Sequence, residues 1–198
     1  MRPLPAPLLA PVLALAAACL GPQSVTLRYY TLPSGPVAAA PAREPLESLG
    51  LGPVTLPPYL DRPEIVTRLS PERIAYSGED RWAAPLADQL RRALADELRA
   101  AVPAREVVAW PWPRDPAPAL AVAVQVQRFE SGADGAAVLE ARWTVGRGSG
   151  GAPLASAEFR ARQEPATRDA AGSVGAMGRA VEALAGEIAR AVAGLPRR

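Results

Sequence analysis

Histidine and lysine are absent from the chain, and cysteine occurs once, at Cys19. Without imidazole there is no histidine-based triad and no histidine metal site. A lone thiol closes no intrachain disulfide and builds no cysteine zinc cluster. The missing lysine also excludes a Gly-x-x-x-x-Gly-Lys phosphate loop. Large core-forming side chains are scarce: Leu, Ile, Val and Phe total 44 of 198 residues, while 42 alanines inflate the hydrophobic fraction to 49%. That composition stands near the level where folding becomes doubtful, but a net charge of only +2 argues against disorder of the whole chain. One compact domain with loose flanks is expected. All 22 basic residues are arginines scattered among 20 acids, so no nucleic-acid face is indicated. The carboxylates Glu79-Asp80, Asp96-Glu97 and Glu106 read as solvated charges flanking helices, with nothing pairing them for general acid–base work. The chain is therefore expected not to be an enzyme.

The amino-terminal segment reads as an address. Arg2 precedes an apolar stretch from Leu8 to Ala18, which is far short of the ~20 residues a membrane-spanning helix needs, so residues 1–18 are expected to be a signal peptide. Its ending, Leu15-Ala16-Ala17-Ala18-Cys19, resembles a bacterial lipobox. Cys19 is then the lipid-attachment residue and the first residue of the mature protein, carrying a thioether-linked diacylglycerol and an N-acyl chain. At ~0.8 kcal/mol per buried methylene, even two such chains anchor stably. The alternative is an unmodified thiol in an ordinary secreted protein. No cofactor is expected beyond this covalent lipid. Leu20, in place of the aspartate that commonly retains lipoproteins in the inner membrane, suggests the outer membrane, facing the periplasm.

Residues 19–46 hold the acylated terminus and a Pro/Ala-rich tether, within which Val25–Leu32 has the composition of a short strand that docks or floats. Residues 47–196 are expected to form the domain. Leu51–Leu56 reads as a strand ended by Pro57-Pro58, and Glu64–Arg68 with Arg73–Tyr76 as a hairpin. Between Ala84 and Val102, Leu86, Leu90, Leu94, Leu98 and Val102 recur four apart, which predicts an amphipathic helix with Pro85 in its first turn. Arg105–Ala109 predicts a brief strand. Period-two alternation then predicts a meander, with Leu120, Val122, Val124 and Val126, then Leu139, Ala141, Trp143 and Val145, then Ala155, Ala157, Phe159 and Ala161 on one face. Gln125, Gln127, Glu140, Arg142, Glu158, Arg160 and Arg162 fall opposite. A second amphipathic helix, capped by Ser173, carries Val174 to Leu195. The fold class is α+β: a mainly antiparallel sheet with two amphipathic helices packed on one face, preceded by a signal peptide and a flexible tether.

Leu56-Pro57-Pro58-Tyr59-Leu60-Asp61-Arg62-Pro63-Glu64-Ile65-Val66-Thr67-Arg68 is the most individual run. With Tyr29-Tyr30-Thr31-Leu32, Gly52-Pro53-Val54 and Arg81-Trp82-Ala83-Ala84-Pro85-Leu86 around it, the chain resembles the ABC-type transport auxiliary lipoprotein family, which includes the paraquat-inducible protein C lipoproteins. Glu64 stands where that family more often has glutamine. The resemblance implies a non-catalytic outer-membrane lipoprotein of an MCE/Pqi-type intermembrane lipid transport system. Its partners would be a membrane-anchored MCE-domain protein, an inner-membrane ABC or Pqi-type permease reached through it, and outer-membrane lipid. A homo-oligomer and a monomer are both consistent with the sequence. A lipid-carrying lipoprotein and a structural envelope assembly lipoprotein are the alternatives.

Tyr59, Leu60, Asp61, Arg62 and Pro63 offer an aromatic, rigid prolines and an Asp/Arg pair at one exit from the sheet, the side-chain types that carry interfaces. They are the candidate partner-binding residues, together with Trp82. The competing reading has Asp61 and Arg62 fixing a turn while Tyr59 packs on the helix, and Trp82 stapling the helix start to the core. Trp110-Pro111-Trp112-Pro113 is either an exposed aromatic patch or a sheet-edge plug.

Overall fold

The computed structural model describes residues 25–35, 45–113 and 115–196. The signal segment and Cys19 lie outside the described residues. Period-two patterning becomes strand throughout. β1 (Arg28–Tyr30), β2 (Leu46–Thr55), β3 (Glu64–Ser70), β4 (Arg73–Trp82), β5 (Ala104–Ala109), β6 (Leu120–Gly132), β7 (Ala137–Arg147) and β8 (Ala155–Gln163) form one eight-stranded sheet. Two helices, α1 (Leu86–Ala101) and α2 (Ala170–Gly194), cover one face.

The class is α+β, and the sheet is mixed. β3–β4, β6–β7 and β7–β8 pair antiparallel, whereas β1–β4, β2–β5, β2–β6 and β3–β6 pair parallel. The meander expected from alternation is the antiparallel run β6–β7–β8, and the expected hairpin is β3–β4. The parallel pairings bring together strands distant in sequence, which local patterning cannot register.

Strand β6 organises the whole. One of its edges is paired with β7 from Leu120 to Ser131. The other is shared: β2 runs beside Leu120–Gln125, and β3 takes over at Ser131 and Gly132. Between them, residues 56–66 leave the edge and return to it. A register shift at Gly52-Pro53 lets β2 accommodate a proline, whose missing N–H would break a regular ladder.

Helix α1 buries Leu86, Leu90, Leu94 and Leu98 at the expected spacing, and each full burial is worth about 1.5–3 kcal/mol. α2 packs through smaller side chains, with Ala176, Ala180, Val181, Leu184, Ala185 and Ile188 at or near zero exposure. The meander alanines Ala137 and Ala141 meet it in the same continuous apolar cluster. Trp143 faces this layer and donates its indole N–H to Glu187 Oε1 at 2.8 Å. The α2 cap is Asp169, whose carboxylate accepts from the Gly172 N–H at 2.8 Å. Ser173, the expected cap, is buried inside the helix, because the helix begins a turn earlier than its apolar pattern does.

The segment 28–35 packs on the domain. β1 pairs with the end of β4, and the chain then crosses the helix pair. The Leu32 N–H donates to Gln89 Oε1 at 2.7 Å, and the Gly35 N–H to Glu97 Oε1 at 2.5 Å. Pro33 lies so close to Gly178 of α2 that a Cβ there would stand 2.6 Å from Pro33 Cγ and 2.9 Å from its carbonyl oxygen. Glu97 is therefore not the solvated charge its sequence context suggested: it is fully buried. It lies seven residues after Leu90, which two helical turns bring onto the same buried face, and the chain at Gly35 covers it.

Candidate functional site

The excursion between β2 and β3 is built from its prolines outward. Pro57 and Pro58 end the β2 ladder, and Pro58–Leu60 forms a single 3-10 turn closed by the Leu60 N–H donating to Pro57 O (3.0 Å) and the Asp61 N–H to Pro58 O (3.1 Å). Leu60, 1% exposed, plugs the core from this turn. After Pro63 the chain is stapled again, because the Trp82 N–H donates to Pro63 O at 2.7 Å. The Trp82 side chain is buried.

What remains outside is a short, fixed surface. Asp61, Arg62, Pro63, Trp82, Ala84 and Pro85 line one cleft of about 270 Å³ at the start of α1. The Arg62 guanidinium lies 4.4 Å from the ring centroid of Tyr76 and 3.4 Å from Glu64, whose other oxygen is 3.8 Å from Arg81. The Tyr76 hydroxyl reaches the Tyr59 carbonyl at 3.5 Å. Glu64 is held below the usual carboxylate range by its own backbone N–H and by Arg62 and Arg81.

The six candidate residues thus come together but divide by role. Leu60 and Trp82 belong to the core, Tyr59 is half-buried, and Asp61 and Arg62 face water beside Pro63. The turn is closed by backbone groups and not by an Asp61–Arg62 pair, and the Tyr59 phenol lies against Glu130 and Arg68 instead of on a helix.

Beneath the excursion lies an element that pattern reading missed. Glu130 has no exposed surface, and its Oε1 is bonded by Arg68 Nε from β3 and by Arg128 Nε at 2.8 Å. Its Oε2 has no hydrogen-bond partner. Tyr59 covers this cluster, and burial together with the Glu130 carboxylate pushes its hydroxyl up to about 12, against an opposing pull from Arg68. The pairing extends across the open face of the sheet through Arg128–Glu140 (3.8 Å) and Arg160–Glu140 (3.2 Å), with Arg142–Glu158 (2.6 Å) alongside. A register shift after Val126 explains why Glu130 escaped notice. Strict alternation sets Phe129 with Gln125 and Gln127 on the polar face, whereas Gln127 is the bulged residue, Phe129 turns into the core and Glu130 turns out beneath Tyr59. The signal available in sequence was Arg128-Phe129-Glu130 itself, an apolar residue out of phase with its strand.

Chemically, the arrangement stores charge in paired form. Among the described residues, no group of three or more His, Cys, Asp and Glu side chains is placed to hold a metal ion. Trp110 and Trp112 meet edge to face at 5.0 Å between ring centroids. Trp112 fills the space over Gly50 and Gly52, while Trp110 is 46% exposed. One indole is the plug and the other the open patch.

The fold and site define a class, a mixed-sheet α+β domain with its N-terminal segment strapped over a helix pair. The chain belongs to the ABC-type transport auxiliary lipoprotein component family, which it matches over residues 30–189. Membership makes it a lipoprotein associated with ABC-type transport and anchored to a membrane on the periplasmic side. Two solved structures share the fold at a TM-score of 0.67 and 23% identity. One is an uncharacterized protein, matched over 84% of this chain and 99% of the other. The second is a Xanthomonas campestris protein of the DUF330 family, matched over 81% and 92%. Among curated proteins, none matches the chain. No helix among the described residues is long and apolar enough to cross a membrane.

Proposed function

We propose that this chain is a non-catalytic outer-membrane lipoprotein, acylated at Cys19 and facing the periplasm, that docks the conduit of an MCE/Pqi-type lipid transport system. Its direct partner is a membrane-anchored MCE-domain protein, and an inner-membrane ABC or Pqi-type permease is reached through it. No cofactor is needed beyond the lipid on Cys19. The observation that carries this reading is the excursion at residues 57–63. Leu60 and Trp82 pin it from inside, so Asp61, Arg62 and Pro63 are presented with little ordering left to pay for on binding. Arg62, stacked on Tyr76, and Tyr59 beside it are the residue types that dominate interface hot spots. The likeness of the Leu56–Arg68 run to the family supports the choice of partner.

The test is a pull-down from envelope membranes. Wild type co-isolates an MCE-domain protein. Arg62→Glu loses it while keeping its melting temperature, and Cys19→Ala shifts the chain from the membrane to the soluble fraction. Retention of the partner by Arg62→Glu at wild-type yield would sink the docking surface named here.

A further inference from the structure

Three of the large apolar side chains left open to water fall at alternate positions of one short segment: Val25 is 59% exposed, Leu27 42% and Tyr29 64%. Of these three only Tyr29 lies in a strand, β1, whose one pairing among the described residues is with β4, and Val25 and Leu27 lead into it. Single exposed apolar residues are ordinary, whereas three within residues 25–29 make a local apolar patch.

The length of chain before β1 identifies what meets that patch. From Tyr30 to Gly35 the chain is fixed to the domain. The Ala83 N–H donates to Tyr30 O at 2.8 Å, Leu32 and Gly35 are held by Gln89 and Glu97, and Pro33 is seated over Gly178. Arg28 itself is paired with Asp80 at 2.7 Å and Glu79 at 3.1 Å. The domain is therefore tied to Cys19 from Arg28 onward, and not through the Pro/Ala-rich stretch after Gly35. From Cys19 to Arg28 the chain reaches at most about 30 Å when fully extended. Val25 and Leu27 stand nearer still to the acylated residue.

We infer that Val25, Leu27 and Tyr29 form a membrane-contact edge, lying in the headgroup zone of the same leaflet that holds the acyl chains of Cys19. The inference rests on the acylation proposed above. Two aliphatic side chains and a tyrosine suit that zone, where an apolar body and a polar tip are both satisfied. Contact here adds to the acyl anchor and gives the domain a preferred orientation, with the β1 edge toward the bilayer.

Acylation consumes the only native thiol, so a single introduced cysteine becomes a unique spin-label site. Acylated full-length protein carrying Leu27→Cys or Tyr29→Cys, with Leu154→Cys at the β7–β8 connection as control, is bound to phosphatidylethanolamine/phosphatidylglycerol vesicles. Collision with oxygen is then compared with collision with an aqueous nickel chelate. The expected result is an oxygen-to-nickel ratio severalfold higher at 27 and 29 than at 154. Equal ratios at all three sites in vesicle-bound protein would overturn the inference. So would labels at 27 and 29 shielded from both reagents and immobilised before vesicles are added, which would assign the edge to a protein partner. Unsubstituted protein that takes up one label and fails to float with vesicles would overturn the anchor, and this contact with it. The label count tells that failure from the others.

Discussion

The two edges of β6 are built by different means. Along one edge β7 pairs without loss of partner from Leu120 to Ser131, apart from a single bulge, and the side chains above it form an open lattice of arginine and glutamate. Along the other, two strands share the edge and the gap between them is filled by proline, a plugging leucine, a tyrosine and a buried carboxylate. The continuous edge makes stability from repetition. The interrupted edge gives up ladder hydrogen bonds and spends core packing to hold a few exposed side chains still, which is the economy expected of a binding surface.

Breaking the interrupted edge should cost most. Leu60→Ala leaves a core cavity and Glu130→Ala leaves Arg68 and Arg128 without their shared carboxylate. Each should lower stability in urea unfolding by about 3 kcal/mol. Next in size is the strap. Gly178→Val drives side-chain atoms against Pro33, and such overpacking costs about 1–3 kcal/mol. Hydrogen exchange at the Leu32 and Gly35 amides should accelerate while the β6–β7 amides stay protected.

Glu97 sharpens the comparison by sign. Burial raises its carboxyl above the ordinary range, with Glu182 and Asp96 adding to the rise. The fold therefore favours the protonated form, and stability is lost as pH climbs above the ordinary carboxylate value. Glu97→Gln keeps an acceptor for Gly35 and removes the buried charge, so it should stabilise the protein at neutral pH by about 0.5–1 kcal/mol. Thermal melts at pH 4 and pH 7 check this, since the gain should shrink at the lower pH. Tyr59 acts at the alkaline end. Its neutral phenol is the favoured form, so its contribution is full below pH 10 and is lost as pH rises toward about 12. Tyr59→Phe should flatten the stability profile in that window. The smallest effect belongs to the continuous edge, where Arg142→Ala removes an exposed pair and should change stability by less than about 0.5 kcal/mol.

The same contrast governs what could be read from the sequence. The leucines of α1 and the alternation of β6 to β8 are local repeats, and they placed both helices and the meander on the correct faces. The Tyr59–Pro63 run was legible as an individual feature because its prolines forbid a ladder. Glu130 and Glu97 were legible only as anomalies, one beside a Phe129 out of phase with its strand, the other a carboxylate seven residues after Leu90 on the apolar face of α1. The bulge that explains the first and the strap from residues 32–35 that covers the second lie outside local spacing. The parallel pairings of β2 and β3 with β6 escaped for the same reason, since their partners lie far apart in the chain.

In the docking role proposed above, the pinned excursion and not the ion lattice meets the partner. Site-specific photocrosslinking in intact cells addresses it directly, with a photoreactive residue at Arg62 or at Arg142. A crosslink to an MCE-domain protein is expected from position 62 and none from position 142. Equal crosslinking from both, or crosslinking from 142 alone, would contradict it.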